Sequence, residues 1–133
     1  MFDCVAIGDS IAVGIGMVRT ECYTIAEVGI NSKKFVSQHP GQVLARTAII
    51  SLGTNDLGID TEASLEVLRL RVDAERIFWI LPSETLRPAS RAAVIAVAAR
   101  HKDAIVSIPD HDLSPDRIHP TANGYRGLAK LTK

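Results

Sequence analysis

Two hydrophobic rhythms divide this chain into elements. Short runs that are nearly all apolar recur at residues 3–7, 23–28, 46–52, 76–81 and 104–108. Runs of this length without polar alternation fit strands covered on both faces. Stretches with helical spacing lie between them. One starts near Ser10 and reaches about residue 19. A short one can be capped by Asn31 or Ser32 and stops before Pro40. A third has Thr61 as its N-cap, with Leu65, Leu68 and Val72 on one face, and runs to about residue 73. A fourth opens with Pro88 in its first turn and runs to about residue 102, apolar nearly all round. The last follows Pro120 and covers residues 121–131. Pro82 and Pro109 stop the fourth and fifth strands, and residues 53–60 form a loop.

Strand and helix alternate throughout, which predicts βα units around a parallel sheet. Right-handed crossovers then favour a five-stranded sheet of order 2-1-3-4-5 in a three-layer α/β/α sandwich. The 133 residues make one domain, 1–133, with no internal repeat or linker. Trp79 lies inside the fourth apolar run and is expected in the core.

Composition narrows the function classes. Fifteen basic residues balance fifteen acidic ones, so no basic face for nucleic acid is indicated. No apolar run reaches the length of a membrane span. No basic n-region precedes an apolar leader, and Cys4 and Cys22 do not make a disulfide framework. Both cysteines are expected as unpaired thiols, with Cys4 inert in a buried strand. The expected compartment is cytoplasmic.

Position carries the chemistry. In sheets of this kind ligands bind beyond the C-terminal strand ends, where the strand order reverses. That point lies between strands 1 and 3. Ser10 follows strand 1, Gly29 and Asn31 follow strand 2, Gly53, Asn55 and Asp56 follow strand 3, and Asp116 and His119 follow strand 5. All fall on one sheet edge. Each has a plainer reading alone: Ser10 as a helix cap, Asn55-Asp56 as turn chemistry, His119 as a surface histidine, Asp116 as a cap of the last helix. Together they supply a serine nucleophile, an imidazole to take its proton, and a carboxylate three residues before that imidazole to orient it. The Ser10 and Gly29 backbone N–H groups and the Asn55 side-chain amide are the candidate oxyanion donors. Ile11, Leu57, Leu81 and Leu113 lie near the same edge and are the candidates for an acyl pocket. Asp9 receives no catalytic role.

Gly8-Asp9-Ser10-Ile11 resembles the first sequence block of the SGNH hydrolases, or GDSL-type esterases and lipases. Val28-Gly29-Ile30-Asn31-Ser32 resembles the second block, Leu52-Gly53-Thr54-Asn55-Asp56 the third, and Asp116-Arg117-Ile118-His119-Pro120 the terminal Asp-x-x-His pattern. The blocks stand in the family's order across almost the whole chain. The resemblance implies a flavodoxin-like fold and ester or thioester hydrolysis through an acyl-enzyme on Ser10. It implies His119 as base, Asp116 as its partner, and Ser10, Gly29 and Asn55 as oxyanion donors, with no metal and no cofactor. Family members are commonly longer, so this reads as a minimal version with short loops. No insertion offers a wall for a long acyl chain. The expected substrate is therefore a short-chain ester, acetyl in particular, on a carbohydrate or other small alcohol.

The competing readings are a lysophospholipase or thioesterase of the same family, and a silent binding protein with this fold. A nucleotide-binding module is disfavoured. Gly14-Ile15-Gly16-Met17-Val18-Arg19 lacks the third glycine of the dinucleotide fingerprint, and no phosphate-loop Gly-Lys-Ser/Thr occurs. Ala12 stands where the nucleophile elbow of the α/β-hydrolases has its second glycine. Asp110, His111, Asp112, Asp116 and His119 are chemically suited to a metal, but an acidic loop of this kind is more often solvated.

Overall fold

The structure, a computed structural model, describes residues 1–57 and 60–133; the predicted 53–60 loop therefore lies partly outside the described residues. The elements are β1 (Phe2–Gly8), α1 (Ser10–Val18), β2 (Tyr23–Ala26), α2 (Ser32–Gln38), β3 (Val43–Ser51), α3 (Thr61–Arg71), β4 (Val72–Ile80), α4 (Pro88–His101), β5 (Ala104–Val106) and α5 (Ala122–Leu131). A 3-10 turn spans Asp110–Asp112. The strands are all parallel, in the order β2-β1-β3-β4-β5. This is the predicted topology, and β1 and β3 flank the reversal point.

Boundaries differ where hydrogen bonding and burial part company. β3 and β4 begin at Val43 and Val72, upstream of the apolar runs that marked them, and these two residues pair with each other. Their early segments carry solvated side chains such as Leu44, Asp73 and Glu75, so the ladder extends past the doubly covered region that a hydrophobic run can mark. The edge strands β2 and β5 are shorter than predicted, ending at Ala26 and Val106.

The sheet separates two cores. Val5, Ile7, Ile50, Ile77 and Trp79 face α2, α3 and α4, meeting Phe35, Leu65, Leu68, Val94 and Val97. Cys4, Ala6, Ile49 and Ile80 face α1 and α5, meeting Ile11, Ile15 and Leu128. Trp79 is fully buried, as expected, and its indole N–H donates to Asp103 Oδ2 at 2.9 Å, which satisfies the one polar atom it takes inside.

The unpaired-thiol expectation is corrected: Cys4 and Cys22 form a disulfide. The parallel register pairs Val5 with Tyr23. That brings Cys22, the residue before β2, beside Cys4, with the Cα atoms 4.4 Å apart. Strand adjacency decides the pairing, and two cysteines 18 residues apart do not announce it. Among the described residues no helix is long and apolar enough to cross a membrane.

Candidate active site

The β1–α1 junction is built on two residues before Ser10. Gly8 has φ +136°, and a Cβ there would lie 1.8 Å from the Ser51 carbonyl oxygen. Only glycine lets the end of β1 come that close to the end of β3. The Asp9 N–H then donates to the same Ser51 oxygen at 2.9 Å. Asp9, not Ser10, caps α1: its Oδ1 accepts the Ile11 N–H at 3.0 Å. The capping role considered for Ser10 is thus taken by its neighbour. Ser10 becomes the first helical residue, with its hydroxyl free to point outward.

His119 arrives from the other end of the chain. After the 3-10 turn, residues 114–119 close on themselves through Arg117 N–H to Ser114 O at 2.9 Å and Ser114 N–H to His119 O at 2.7 Å. Arg117 sits at the tip with φ +62°. Thr121 caps α5 just beyond, accepting the Gly124 N–H at 3.1 Å. This turn places His119 Nε2 2.9 Å from Ser10 Oγ. Its Nδ1 is 2.6 Å from Asp116 Oδ2. Asp116 Oδ1 also accepts the Ile118 and His119 backbone N–H groups, at 2.9 and 3.0 Å. Those bonds, the His119 N–H foremost, hold the Asp116 carboxyl down at about 2. An ionised carboxylate can only accept. Nδ1 therefore carries a proton toward Asp116, which in the neutral imidazole leaves Nε2 as the lone-pair nitrogen facing the serine hydroxyl. Side-chain exposures of 41% for His119 and 48% for Asp116 leave the pair open to solvent.

The candidate oxyanion donors sit on three neighbouring loops. Among the described residues, neither the Ser10 nor the Gly29 backbone N–H has a hydrogen-bond partner within the protein. Gly29 has φ +81°, with nothing within 4 Å of where a Cβ would stand. Its need for glycine is thus conformational rather than steric. Asn55 donates one amide hydrogen to the Ile30 carbonyl at 3.0 Å, which orients the amide and leaves its second N–H available.

Two carboxyl groups in this region, Asp9 and Asp56, were given no part in the site by the sequence reading. Asp9 is fully buried beside Ser10. Its Oδ1 also accepts from Ser51 Oγ at 3.0 Å, while Oδ2 has no partner. Burial above all pushes its carboxyl up to about 6. Asp56, also buried, accepts the Ser32 N–H at 2.8 Å through Oδ1 and the Ser32 hydroxyl through Oδ2. Their burial and partners, which the sequence did not indicate, come from the fold.

The four acyl-pocket candidates are not brought together. Ile11 is packed into the α1–α5 core because it follows the cap on the inward face of α1. Leu57 is 73% exposed. Leu81 and Leu113 do share a cleft of about 340 Å³, but Ser83, Glu84, Arg91, Ser107 and Asp110 make its lining polar. Among the described residues no three His, Cys, Asp or Glu side chains converge as metal ligands. His111 is 82% exposed and lies 3.7 Å from Asp112.

No family model matches the sequence, and no curated protein matches it either. Solved structures do. A GDSL-like lipase from Bacteroides thetaiotaomicron superposes with a TM-score of 0.69 at 15% identity, over 96% of this chain and 84% of that one. An acylhydrolase described as putative from Bacteroides fragilis gives 0.63 at 14%, over 96% and 83%. The C-terminal catalytic domain of peptidoglycan O-acetyltransferase A from Streptococcus pneumoniae, bearing a methylsulfonyl adduct, gives 0.62 at 15%, over 96% and 88%. The chain has an SGNH-hydrolase-type fold. The superpositions extend over nearly the whole chain.

Proposed function

We propose that the protein is a serine esterase acting on short-chain acyl esters, acetyl above all, of a carbohydrate or another small alcohol. The observation that carries this is the continuous relay from Ser10 Oγ to His119 Nε2 and from His119 Nδ1 to Asp116, at 2.9 and 2.6 Å. As Ser10 Oγ attacks the ester carbonyl, Nε2 takes the hydroxyl proton and Asp116 stabilises the imidazolium. The carbonyl oxygen becomes an oxyanion facing the Ser10 and Gly29 N–H groups and the free Asn55 N–H. The imidazolium returns the proton to the leaving alkoxide, and an acyl group stays on Ser10. Water, deprotonated by the same imidazole, releases it as the acid.

The preference for short acyl groups is supported by the polar lining of the Leu81–Leu113 cleft and the exposure of Leu57: among the described residues the four acyl-pocket candidates form no apolar channel. The half-exposed histidine supports a bulky alcohol on the other side of the ester. It also favours a second reading, transfer of the acyl group to an alcohol in place of water, in keeping with the likeness to the acetyltransferase domain. The deciding measurement is hydrolysis of a chromogenic acetyl ester by the wild type and by Ser10→Ala. Turnover should vanish in the variant, and equal rates would refute the assignment. Wild-type rates that rise from acetyl to longer acyl esters would refute the short-chain preference. A second alcohol that yields an acylated product at the expense of free acid would select transfer.

The Cys4–Cys22 bond bears on the setting. Disulfides persist where the surroundings are oxidising. We therefore place the working protein in an oxidising compartment, in place of the cytoplasmic expectation. Its test is the mass of the native protein after alkylation without reductant, where two added alkyl groups would overturn it.

A further inference from the structure

We propose that Asp56 is a positioning residue for the oxyanion site, clamping the two loops that carry Gly29 and Asn55 into one unit; this rests on the esterase reading above. The two loops come from different strands. Gly29 lies between β2 and α2, and Asn55 lies between β3 and α3. Neither β2 nor α2 pairs directly with β3, because β1 stands between β2 and β3 in the sheet. Backbone bonds link each strand end to β1, and the loops beyond those ends are joined to each other by side chains.

Asp56 spans the gap. Its own loop is folded by the Asp56 N–H to Gly53 O bond at 3.1 Å. From there the carboxyl reaches across to Ser32, the first residue of α2. It receives both the Ser32 backbone N–H, at 2.8 Å, and the Ser32 hydroxyl. Asp56 is 7% exposed and Ser32 is 0% exposed, so water does not compete for these bonds. Hydrogen bonds shielded in this way hold geometry more firmly than exposed ones. One position before the clamp, the Asn55 amide crosses the same gap to Ile30 O. On the outer side, Arg87 Nε–H donates to Thr54 O at 2.6 Å and backs the β3–α3 loop. The clamp thus ties the loops that carry residues 29 and 55, and neither of its residues bonds to Ser10 or His119. Without it, Asn55–Ile30 is the remaining side-chain hydrogen bond between the two loops among the described residues. Displacements of about 1 Å in such donors cost on the order of 10²-fold in rate.

The substitution series separates positioning from stability. Asp56→Ala removes both bonds. Asp56→Asn can keep them, since its carbonyl oxygen can accept the Ser32 N–H and its amide can donate to the Ser32 hydroxyl, which also accepts. Turnover of the acetyl ester is normalised to active serines counted with a fluorophosphonate, so unfolded protein does not enter. Asp56→Ala should lower kcat about 10- to 100-fold with KM within about threefold, and Asp56→Asn should recover most of that loss. In an Asn55→Ala background the further loss from Asp56→Ala should shrink to under about threefold, since one of the positioned donors is already gone. Should Asp56→Ala fail to fold, Ser32→Ala carries the same test, with a smaller fall in kcat that is again muted in the Asn55→Ala background. Turnover per active serine within threefold of wild type, or an undiminished loss in the Asn55→Ala background, would overturn the proposal. Equal turnover by the wild type and Ser10→Ala would instead remove the esterase reading, and the clamp's catalytic role with it.

Discussion

Asp9 and Asp116 flank the same Ser10–His119 pair, and their surroundings pull them in opposite directions. Asp116 is half-exposed and collects three hydrogen bonds, so its carboxyl falls to about 2. Asp9 is sealed beneath Ser10 with one oxygen unpartnered, so its carboxyl rises to about 6. The raised value has a definite consequence for stability. Between about pH 4 and 6 the unfolded chain has released the Asp9 proton while the folded chain retains it. The folded state then binds more protons, and stability falls as pH rises through that window. A shift from 3.8 to about 6 corresponds to roughly 3 kcal/mol, present at acid pH and gone above about pH 7. Asp9→Asn should flatten this segment of the urea-unfolding curve against pH. An unchanged slope between pH 4 and 7 would show that Asp9 does not titrate there. The depressed Asp116 works the other way: its stabilisation holds above pH 4 and is lost as pH falls toward 2.

At the scale of elements, the site depends on how closely β1 and β3 approach at their C-terminal ends. Gly8 permits that approach, and Asp9 and Ser51 lock it with one backbone and one side-chain bond. Gly8→Ala combines a left-handed φ with a backbone overlap at 1.8 Å, so it should destabilise the fold by about 3 kcal/mol or more, measured by urea unfolding. A loss below 1 kcal/mol would mean that the strand ends can part without cost. Helix starts are where sequence reading came closest. Asn31 caps α2 as one of two candidates, while α3 is capped by Asp60, one residue before the predicted Thr61. Caps are short-range hydrogen bonds among adjacent residues, so a local sequence nearly contains them. The starts of β3 and β4 were less legible, because a ladder bond needs a partner strand and no particular side chain.

Across the whole molecule, the Cys4–Cys22 bond ties β1 to the entry of β2, an edge strand of four residues. Closing a loop with an 18-residue separation should contribute about 3 kcal/mol, chiefly by restricting the unfolded chain. Unfolding in urea with and without reductant measures it directly. Equal midpoints would show that β2 needs no staple. The edge strand also carries the chain into Gly29, so loosening β2 should weaken turnover as well as stability.

The sequence by itself determined the layers, the strand order and the sheet edge where the polar residues gather. These follow from hydrophobic period, right-handed crossovers and strand direction, all of which the local pattern carries. It also brought Ser10, Gly29, Asn55, Asp116 and His119 to one edge as a set. Tertiary structure alone decided which residues meet there. The Ser10–His119 contact spans 109 positions and depends on the turn at Arg117. The Cys4–Cys22 bond depends on register, the Asp56–Ser32 clamp on two loops that share no strand pairing, and the burial of Asp9 on glycine at position 8. Ser10 taken alone reads equally as a helix cap, because a cap and a nucleophile share the same local sequence. Only the folded chain, by giving the cap to Asp9, left the serine free.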